Sequence, residues 1–204
     1  MSRTAISQPS TSHSATTTGS SALRSGDRLF LRGHTGKQLG YDEADGAVRA
    51  NSSAKGDREA WIVEKNVEGQ GGGDDIIRDG DSVFVQAETG AWLATSDKKV
   101  HASSSLSSRG GFTIEAVNSL AKELPITSGD SIRLRTEGEN QRRLSVQGSA
   151  VHSSWDNAGC WESLVVELDG ATTQEDTPDP CVSAKPIKHG DSVYIMAQAT
   201  GKQL

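Results

Sequence analysis

The stretch GDRLFLRGHTGKQL, residues 26–39, decides the fold because the chain repeats its pattern three more times. The later copies are GDSVFVQAETGAWL at 80–93, GDSIRLRTEGENQRRL at 129–144 and GDSVYIMAQATGKQL at 190–204. After the opening Gly-Asp, apolar residues alternate with others, which is the two-residue period of a β-strand. A turn and a leucine close each copy. The pattern therefore predicts a strand, a turn and a second strand in every copy.

Each of the first three copies continues with a second pair of predicted strands. The segments AVRANSS, KVHASSS and AVHSSWD carry Val48, Val100 and Val151, and WIVE, FTIE and LVVE follow these valines after twelve or thirteen residues. A single four-strand unit cannot bury its apolar face, but three units can close into a six-strand barrel capped by three hairpins. We therefore predict an all-β fold, a β-trefoil of three four-strand repeats with a partial fourth repeat at the C-terminus. A β-propeller is the alternative, but it usually needs four or more such units.

The positions of the repeats divide the chain into segments. A Ser/Thr-rich segment precedes the first repeat and is predicted to be a disordered tail. The partial fourth repeat follows an acidic, Pro-bearing stretch and is interpreted as the start of a second trefoil, although its hairpin could instead pack on the first. The predicted segments are the tail at 1–24, the trefoil at 25–168 with repeats at about 25–66, 79–117 and 128–168, the linker at 169–186, and the partial repeat at 187–204.

Composition and charge limit the classes of partner. The formal net charge is −6, which argues against a general nucleic-acid backbone binder. No run of 18 apolar residues predicts a transmembrane helix, so membrane insertion is not expected. The N-terminal residues lack the apolar core of a signal peptide, and we predict a cytoplasmic protein. Cys160 and Cys181 could pair, but two reduced thiols suit that compartment better.

Two known families resemble the repeats. The unit SGDRLFLRGHTGKQLGYDE…GDREAWIVE resembles the MIR repeat, whose domains are β-trefoils of inositol trisphosphate and ryanodine receptors and of protein O-mannosyltransferases. The segments TGAWLATS, GGFTIEA and RRLSVQGSAVHSS are similar to fascin-like trefoils, which bundle actin and occur in tandem. Both resemblances imply the trefoil fold over residues 25–168 and 187–204, and neither transfers a ligand residue. The Gln-x-Trp triplets of ricin-type lectins are absent.

Repeated positions explain the residues that could otherwise suggest catalysis. The Asp after each opening glycine is expected to cap a turn. Glu64, Glu115 and Glu167 end the fourth strands, and threefold placement is expected to spread them over the surface or the barrel rim. An acid–base pair instead needs two carboxyl groups roughly 5–10 Å apart. His101 and His152 share one repeat position without metal-ligand spacing. We therefore predict a protein that is not an enzyme and uses no cofactor or metal.

Residues that break the repeat are the candidates for ligand binding, because function lies in sites added to a fold. They are Trp155, Asp156 and Asn157 in repeat three and Tyr41 and Asp42 in repeat one. An aromatic ring beside an amide or carboxylate can stack on a sugar while the polar group binds hydroxyls.

The other tryptophans and the competing functions complete the prediction. Trp92 and Trp161 are interpreted as core residues.

We predict a non-catalytic, lectin-like glycan-binding module. The alternatives are a protein-interaction trefoil, binding actin or acting as a scaffold, and a protease inhibitor that uses the loop at 66–75. The expected partner is a glycan or a protein.

Overall fold

The computed structural model of the protein describes residues 22–67, 74–117, 124–138 and 140–171. Residues 1–21, most of the predicted linker, the partial fourth repeat and Cys181 lie outside the described residues. The described part contains twelve β-strands and two 3₁₀ turns.

Each repeat contributes four strands, as the alternating pattern predicts. Repeat one contains β1 (Arg28–Gly33), β2 (Gln38–Tyr41), β3 (Val48–Ser52) and β4 (Ala60–Lys65). Repeat two contains β5 (Ser82–Ala87), β6 (Trp92–Ser96), β7 (Lys99–Ser103) and β8 (Phe112–Ala116). Repeat three contains β9 (Ser131–Thr136), β10 (Arg143–Gln147), β11 (Ala150–Trp155) and β12 (Leu164–Leu168). The 3₁₀ turns, Leu106–Ser108 and Cys160–Glu162, precede the fourth strands of repeats two and three.

The first and fourth strands of the repeats form a closed barrel. Antiparallel pairing runs β1–β4–β5–β8–β9–β12 and returns to β1, so none of these six strands is left as a sheet edge. The second and third strands pair as hairpins β2–β3, β6–β7 and β10–β11. The hairpins contact one another through β11–β3 and β11–β7 pairing and a bridge between Ala47 and His101. This is a β-trefoil, as predicted.

Alternating residues of the barrel strands fill the core. Leu29 and Leu31, and the matching residues of β5 and β9, are buried. Trp61 is completely buried, and its indole N–H donates a hydrogen bond of 2.9 Å to the carbonyl of Leu39 in the hairpin above. Trp92 is 7% exposed, which confirms its interpretation as a core residue. The hydrogen bond from the Trp61 indole N–H links the barrel to the hairpin cap in repeat one.

Trp161 is not a core residue, and that interpretation is wrong. It is 52% exposed and lies in the 3₁₀ turn before β12. It precedes the buried Leu164 by three positions, just as Arg58 precedes Trp61 and Arg109 precedes Phe112. The repeat therefore places Trp161 where the other two repeats carry a polar residue.

Three backbone hydrogen bonds close the end of the barrel opposite the hairpins. Leu23 N–H donates to Ile126, Ile77 N–H donates to Leu23, and Ile126 N–H donates to Ile77, at 2.6, 2.8 and 2.9 Å. All three side chains are buried. Leu23, which the sequence analysis assigned to the tail, is therefore part of the core.

Glu167 on β12 is buried, in contrast to the surface or rim position expected for the fourth-strand glutamates. It is 4% exposed. Its carboxylate accepts hydrogen bonds from Arg32 at 2.9 Å and Gln38 at 2.8 Å, and Lys55 lies at 3.1 Å. These donors belong to repeat one, so Glu167 joins the last repeat to the first.

Candidate functional site

A polar pocket of about 440 Å³, the junction pocket, lies between repeats two and three. This volume falls in the range typical of small-molecule sites, about 300–1,000 Å³. The lining comes from the end of β6 and its turn, from the β9–β10 loop and from β11. Its residues are Thr95, Ser96, Asp97, Lys98, Thr136, Glu137, Asn140, Arg142 and Ser153.

The wall from repeat two is a tight turn held in place by repeat three. Ser96 pairs with Lys99, so Asp97 and Lys98 form a two-residue hairpin turn. Their φ angles are +47° and +70°, the left-handed region that Asn and Gly usually occupy in such turns. The Ser153 N–H donates a 2.9 Å hydrogen bond to the Lys98 carbonyl. The turn is therefore fixed against β11 across the repeat boundary.

The wall from repeat three is an extended loop. Six positions separate the end of the first strand from the next buried leucine in repeats one and two, and eight do so in repeat three, between Thr136 and Leu144. The Thr136 N–H donates to the Arg142 carbonyl at 2.7 Å, and the Arg142 N–H donates to the Thr136 hydroxyl at 2.9 Å. These bonds close the base of the loop and leave its tip to form the wall.

Unusual backbone geometry is concentrated at the junction pocket. Within the described ranges, Asp97, Lys98 and Gln141 are the non-glycine residues with positive φ. Two of them line the pocket, and Gln141 stands between the lining residues Asn140 and Arg142. Such conformations cost of order 1–3 kcal/mol each and are common at ligand sites.

The charged side chains of the junction pocket are balanced and unpaired. Asp97 and Glu137 oppose Lys98 and Arg142 in number, so the formal charge of the lining is zero. In the part of the chain that the structure describes, none of these four makes an ion pair. Arg28, by contrast, pairs with three carboxylates elsewhere. The pocket therefore presents donors and acceptors that solvent or a ligand must satisfy.

Trp155 is not one of the residues that line the junction pocket, but it lies on β11, the strand that supplies Ser153 to the lining. It is the last residue of β11 and pairs with Arg143, the neighbour of Arg142 along the chain. It follows Ser153 by two positions and is 42% exposed. The register places its strand position next to two lining residues.

Asp156 and Asn157 follow Trp155 in a segment that is held through its backbone. Arg143 donates hydrogen bonds to the carbonyls of Asp156 and Asn157, and Arg133 donates to the carbonyl of Ala158 at 2.8 Å. The side chains of Asp156 and Asn157 are exposed. The arginines therefore fix the course of the segment while its side chains face solvent.

Glu115 anchors Arg143 from the neighbouring repeat. Its carboxylate accepts hydrogen bonds from Arg143 at 2.7 Å and Arg135 at 2.6 Å. Burial acts to raise the pKa of the Glu115 carboxyl, but these bonds outweigh it and hold the pKa below its ordinary value. Glu115 therefore stays ionised and keeps the arginine in position below Asp156.

Tyr41 and Asp42 line a different pocket, of about 100 Å³. Asp42 forms an ion pair of 3.1 Å with Arg49, which also pairs with Asp45 at 2.5 Å. Asp42 and Arg49 therefore already have partners, and the space is smaller than a usual ligand site. The five predicted residues therefore fall into two groups. Tyr41 and Asp42 line the smaller pocket, and Trp155, Asp156 and Asn157 follow Ser153 of the junction pocket along the chain without lining it themselves.

Sequence reasoning did not select any of the nine residues that line the junction pocket. One signal could have found them, which is the two-residue extension of repeat three between Thr136 and Leu144. Insertions in repeat proteins map to loops on one face, and this is often the binding face.

Two other kinds of feature are absent from the described residues. These residues contain no group of three His, Cys, Asp or Glu side chains arranged to hold a metal ion. They also contain no helix with the length and hydropathy needed to cross a bilayer.

The fold and the pocket define a β-trefoil with a polar cavity at one repeat junction. No protein-family model matches the chain, and no curated protein matches its sequence. Among solved structures, the chain is similar to a Caenorhabditis elegans protein of unknown function, with 16% identity, a TM-score of 0.57 and coverage of 71% of this chain and 95% of that one.

Two other similar structures are those of proteins with names. The SDF2-like protein from Arabidopsis thaliana has 14% identity, a TM-score of 0.54 and coverage of 72% of this chain and 94% of that one. The Pmt1–Pmt2 protein O-mannosyltransferase complex of S. cerevisiae, solved with its sugar donor, has 14% identity, a TM-score of 0.57 and coverage of 83% and 28%. At these identities the similarity shows the fold alone. The MIR-like and fascin-like resemblances of the repeats both stay predictions.

Proposed function

We propose that this chain is a non-catalytic binding module whose ligand is a glycan, bound in the junction pocket with Trp155 at its edge. The observation that carries the proposal is the set of four charged side chains without an ion pair among the described residues, around a cavity of ligand size. A sugar presents many hydroxyl groups, each of which can donate and accept hydrogen bonds. The lining offers carboxylates, an amide, hydroxyls, an ammonium and a guanidinium, which can satisfy both kinds of partner.

Trp155 supplies the apolar part of the proposed site. One face of a pyranose ring carries C–H groups, and an exposed indole can cover them. The hydrogen bonds from Arg133 and Arg143 to the carbonyls of residues 156–158 limit the conformational freedom of the segment after Trp155 before a ligand binds. A site ordered in advance loses less conformational entropy on binding.

A protein partner is the second candidate, and one observation favours it. Trp161 is 52% exposed, more than Trp155, and it lies in the 3₁₀ turn Cys160–Glu162, which contributes no residue to the junction pocket. Exposed tryptophans are enriched at the centres of protein interfaces. In this alternative, actin or a scaffold partner would cover the surface around the 3₁₀ turn Cys160–Glu162. The cytoplasmic location remains a prediction.

Binding of the full chain to a glycan array tests the proposal. Trp155→Ala is the test variant, and Trp161→Ala is a matched control because it removes another exposed indole of the same repeat. We expect glycan binding that Trp155→Ala weakens at least tenfold, equivalent to about 1.4 kcal/mol, and that Trp161→Ala leaves unchanged. Circular dichroism verifies that both variants are folded.

The other outcomes separate the candidates. Glycan binding that only Trp161→Ala removes would move the site away from the junction pocket. A folded protein that binds no glycan would overturn the proposal, and actin co-sedimentation with wild type and Trp161→Ala would then test the protein-partner alternative.

A further inference from the structure

Gly111 leaves room for the side chain of Glu137, one of the lining residues of the junction pocket. A Cβ atom on Gly111 would lie 2.4 Å from the Glu137 Oε2 and 3.1 Å from its carboxyl carbon. Real Cβ atoms essentially never approach other atoms so closely. The backbone joins the two residues as well, because the Glu137 N–H donates to the Gly111 carbonyl at 3.0 Å. Gly111 in repeat two therefore supports the carboxylate of repeat three.

Gly111 leaves space for the Glu137 side chain as it is placed here, and its backbone conformation does not require a glycine. Gly111 is not among the described glycines with positive φ. Repeats one and three carry Ala60 and Ser163 at this position, one residue before Trp61 and Leu164. At the matching junction, the Glu88 N–H donates to the Ala60 carbonyl at 3.2 Å and the Glu88 carboxylate pairs with Arg28. The side chain is thus missing where the equivalent glutamate lines the junction pocket.

We infer that Glu137, seated on Gly111, orients the glycan by accepting hydrogen bonds from its hydroxyl groups and makes the junction pocket select neutral glycans over acidic ones. The inference rests on the proposed function and names the class of ligand. Glu137 contacts the ligand, and Gly111 is a positioning residue that acts through it.

The chemistry of a carboxylate fits the orienting role. Two oxygen atoms can accept hydrogen bonds from two neighbouring hydroxyl groups at once, and bonds to an ionised acceptor are stronger than those between neutral groups. Glu137 is exposed and makes no ion pair with the residues that the structure describes. Its carboxylate is therefore available to a ligand.

The two carboxylates of the lining cancel the attraction that Lys98 and Arg142 alone would exert on an acidic glycan. With a net charge of zero the lining offers an acidic sugar no net electrostatic gain, and its neutral counterpart avoids the cost of removing a charge from water. Glu137→Gln keeps the shape of the side chain and leaves the lining at +1. Arg142→Gln is the matched change of opposite sign and leaves it at −1. The two variants are expected to shift the preference between neutral and acidic glycans in opposite directions.

The experiment compares the full chain with Glu137→Gln, Gly111→Ala, the double variant, Glu137→Asp and Arg142→Gln. The probes are neutral glycans and their sialylated counterparts with the same core. We expect Glu137→Gln to weaken binding of the neutral glycan about tenfold and to raise the ratio of sialylated to neutral binding. Glu137→Asp is expected to retain part of the neutral binding, and Arg142→Gln to lower the ratio.

Gly111→Ala tests the positioning role. The new methyl group must displace the end of the flexible Glu137 side chain, so neutral binding falls while the fold is retained. In the Glu137→Gln background, Gly111→Ala is expected to change the ratio of sialylated to neutral binding much less than it does in wild type. The reason is that the carboxylate displaced by the new methyl group is absent from that background. A general loss of structure would instead lower binding equally in both backgrounds.

Each contrary result has one meaning. If wild type binds neutral glycans at the junction pocket but Glu137→Gln binds them equally well, the inference fails and the proposed function stands. Wild-type preference for sialylated glycans overturns the selectivity. A folded wild type that binds no glycan overturns the proposed function, and the inference falls with it.

Discussion

Glu167 is a buried carboxylate whose ionisation contributes to stability. Burial acts to raise its pKa, but hydrogen bonds from Arg32, Gln38 and Lys55 prevail and hold the pKa below its ordinary value of 4.5. A carboxyl group with a lowered pKa in the folded state stabilises the protein above its unfolded pKa. That contribution is lost as the pH falls from about 4.5 through the lower folded value.

We predict that Glu167→Gln lowers the free energy of unfolding at pH 7 by about 3 kcal/mol, because two cations lose their buried partner. The gap between wild type and variant should narrow as the pH falls below about 4.5, where wild type also loses the charge. Urea titrations between pH 7 and pH 3 measure this gap. Glu64→Gln is the control, since Glu64 holds the same repeat position without an ion pair among the described residues. A gap that stays constant with pH would contradict the prediction.

Whether a single residue is buried could be predicted only where its repeat position or its neighbours in sequence determine its surroundings. Trp92 and Trp161 are both tryptophans near short apolar segments, yet one is buried and the other is exposed. Composition does not distinguish them, but repeat position does, because Trp161 matches Arg58 and Arg109. The burial of Glu167 depends on Lys55 and Arg32, which are distant in sequence, so local pattern could not reveal it.

At the scale of elements, the turn between β6 and β7 places the Lys98 side chain in the junction pocket at a cost in stability. Lys98 has φ of +70°, and a left-handed conformation costs an ordinary residue roughly 1–2 kcal/mol. Lys98→Gly is therefore expected to raise the free energy of unfolding by about 1 kcal/mol and to weaken glycan binding at the same time. Thermal unfolding and glycan titration of one sample measure the two effects.

A matched control is available in the equivalent hairpin of repeat three. Gly148 also has positive φ, at +62°, and nothing lies within 4 Å of an added Cβ. Gly148→Ala should destabilise the protein by about 1 kcal/mol and leave binding unchanged. The prediction for Lys98 fails if Lys98→Gly binds glycan as tightly as wild type.

The strands could be predicted because each follows from the residues of its own segment. The junction pocket could not, because its two walls come from segments that are distant in sequence. Two-residue alternation and four similar openings indicate strands and repeats without any long-range knowledge. The junction pocket forms where the Asp97 turn meets a loop about forty residues later, beginning at Glu137. Only the closed ring of repeats brings the two together. The extension at 136–144 was visible in the sequence, but its partner wall was not.

For the whole molecule, the triangle of Leu23, Ile77 and Ile126 ties the three repeats together at one end of the barrel. We predict that Leu23→Ala lowers the free energy of unfolding by about 2–5 kcal/mol, as expected for a fully buried leucine. Ile126→Ala should have a similar effect because it occupies an equivalent corner. Arg24→Ala, which removes a half-exposed side chain and a surface ion pair, should change stability by less than about 1 kcal/mol. Equal, small effects of Leu23→Ala and Arg24→Ala would show that Leu23 does not belong to the core.

The closing pair of the barrel, β1 with β12, joins the first strand of the fold to the last through five residue pairs, from Leu29–Leu168 to Gly33–Leu164. A chain emerging from the ribosome must therefore keep its first strand unpaired on one side until about 140 more residues have been made. During that time, the apolar faces of repeats one and two are available to chaperones and to other nascent chains. The same pairing that removes the sheet edge from the finished barrel makes the growing chain depend on β12, the last strand to be made of the described barrel.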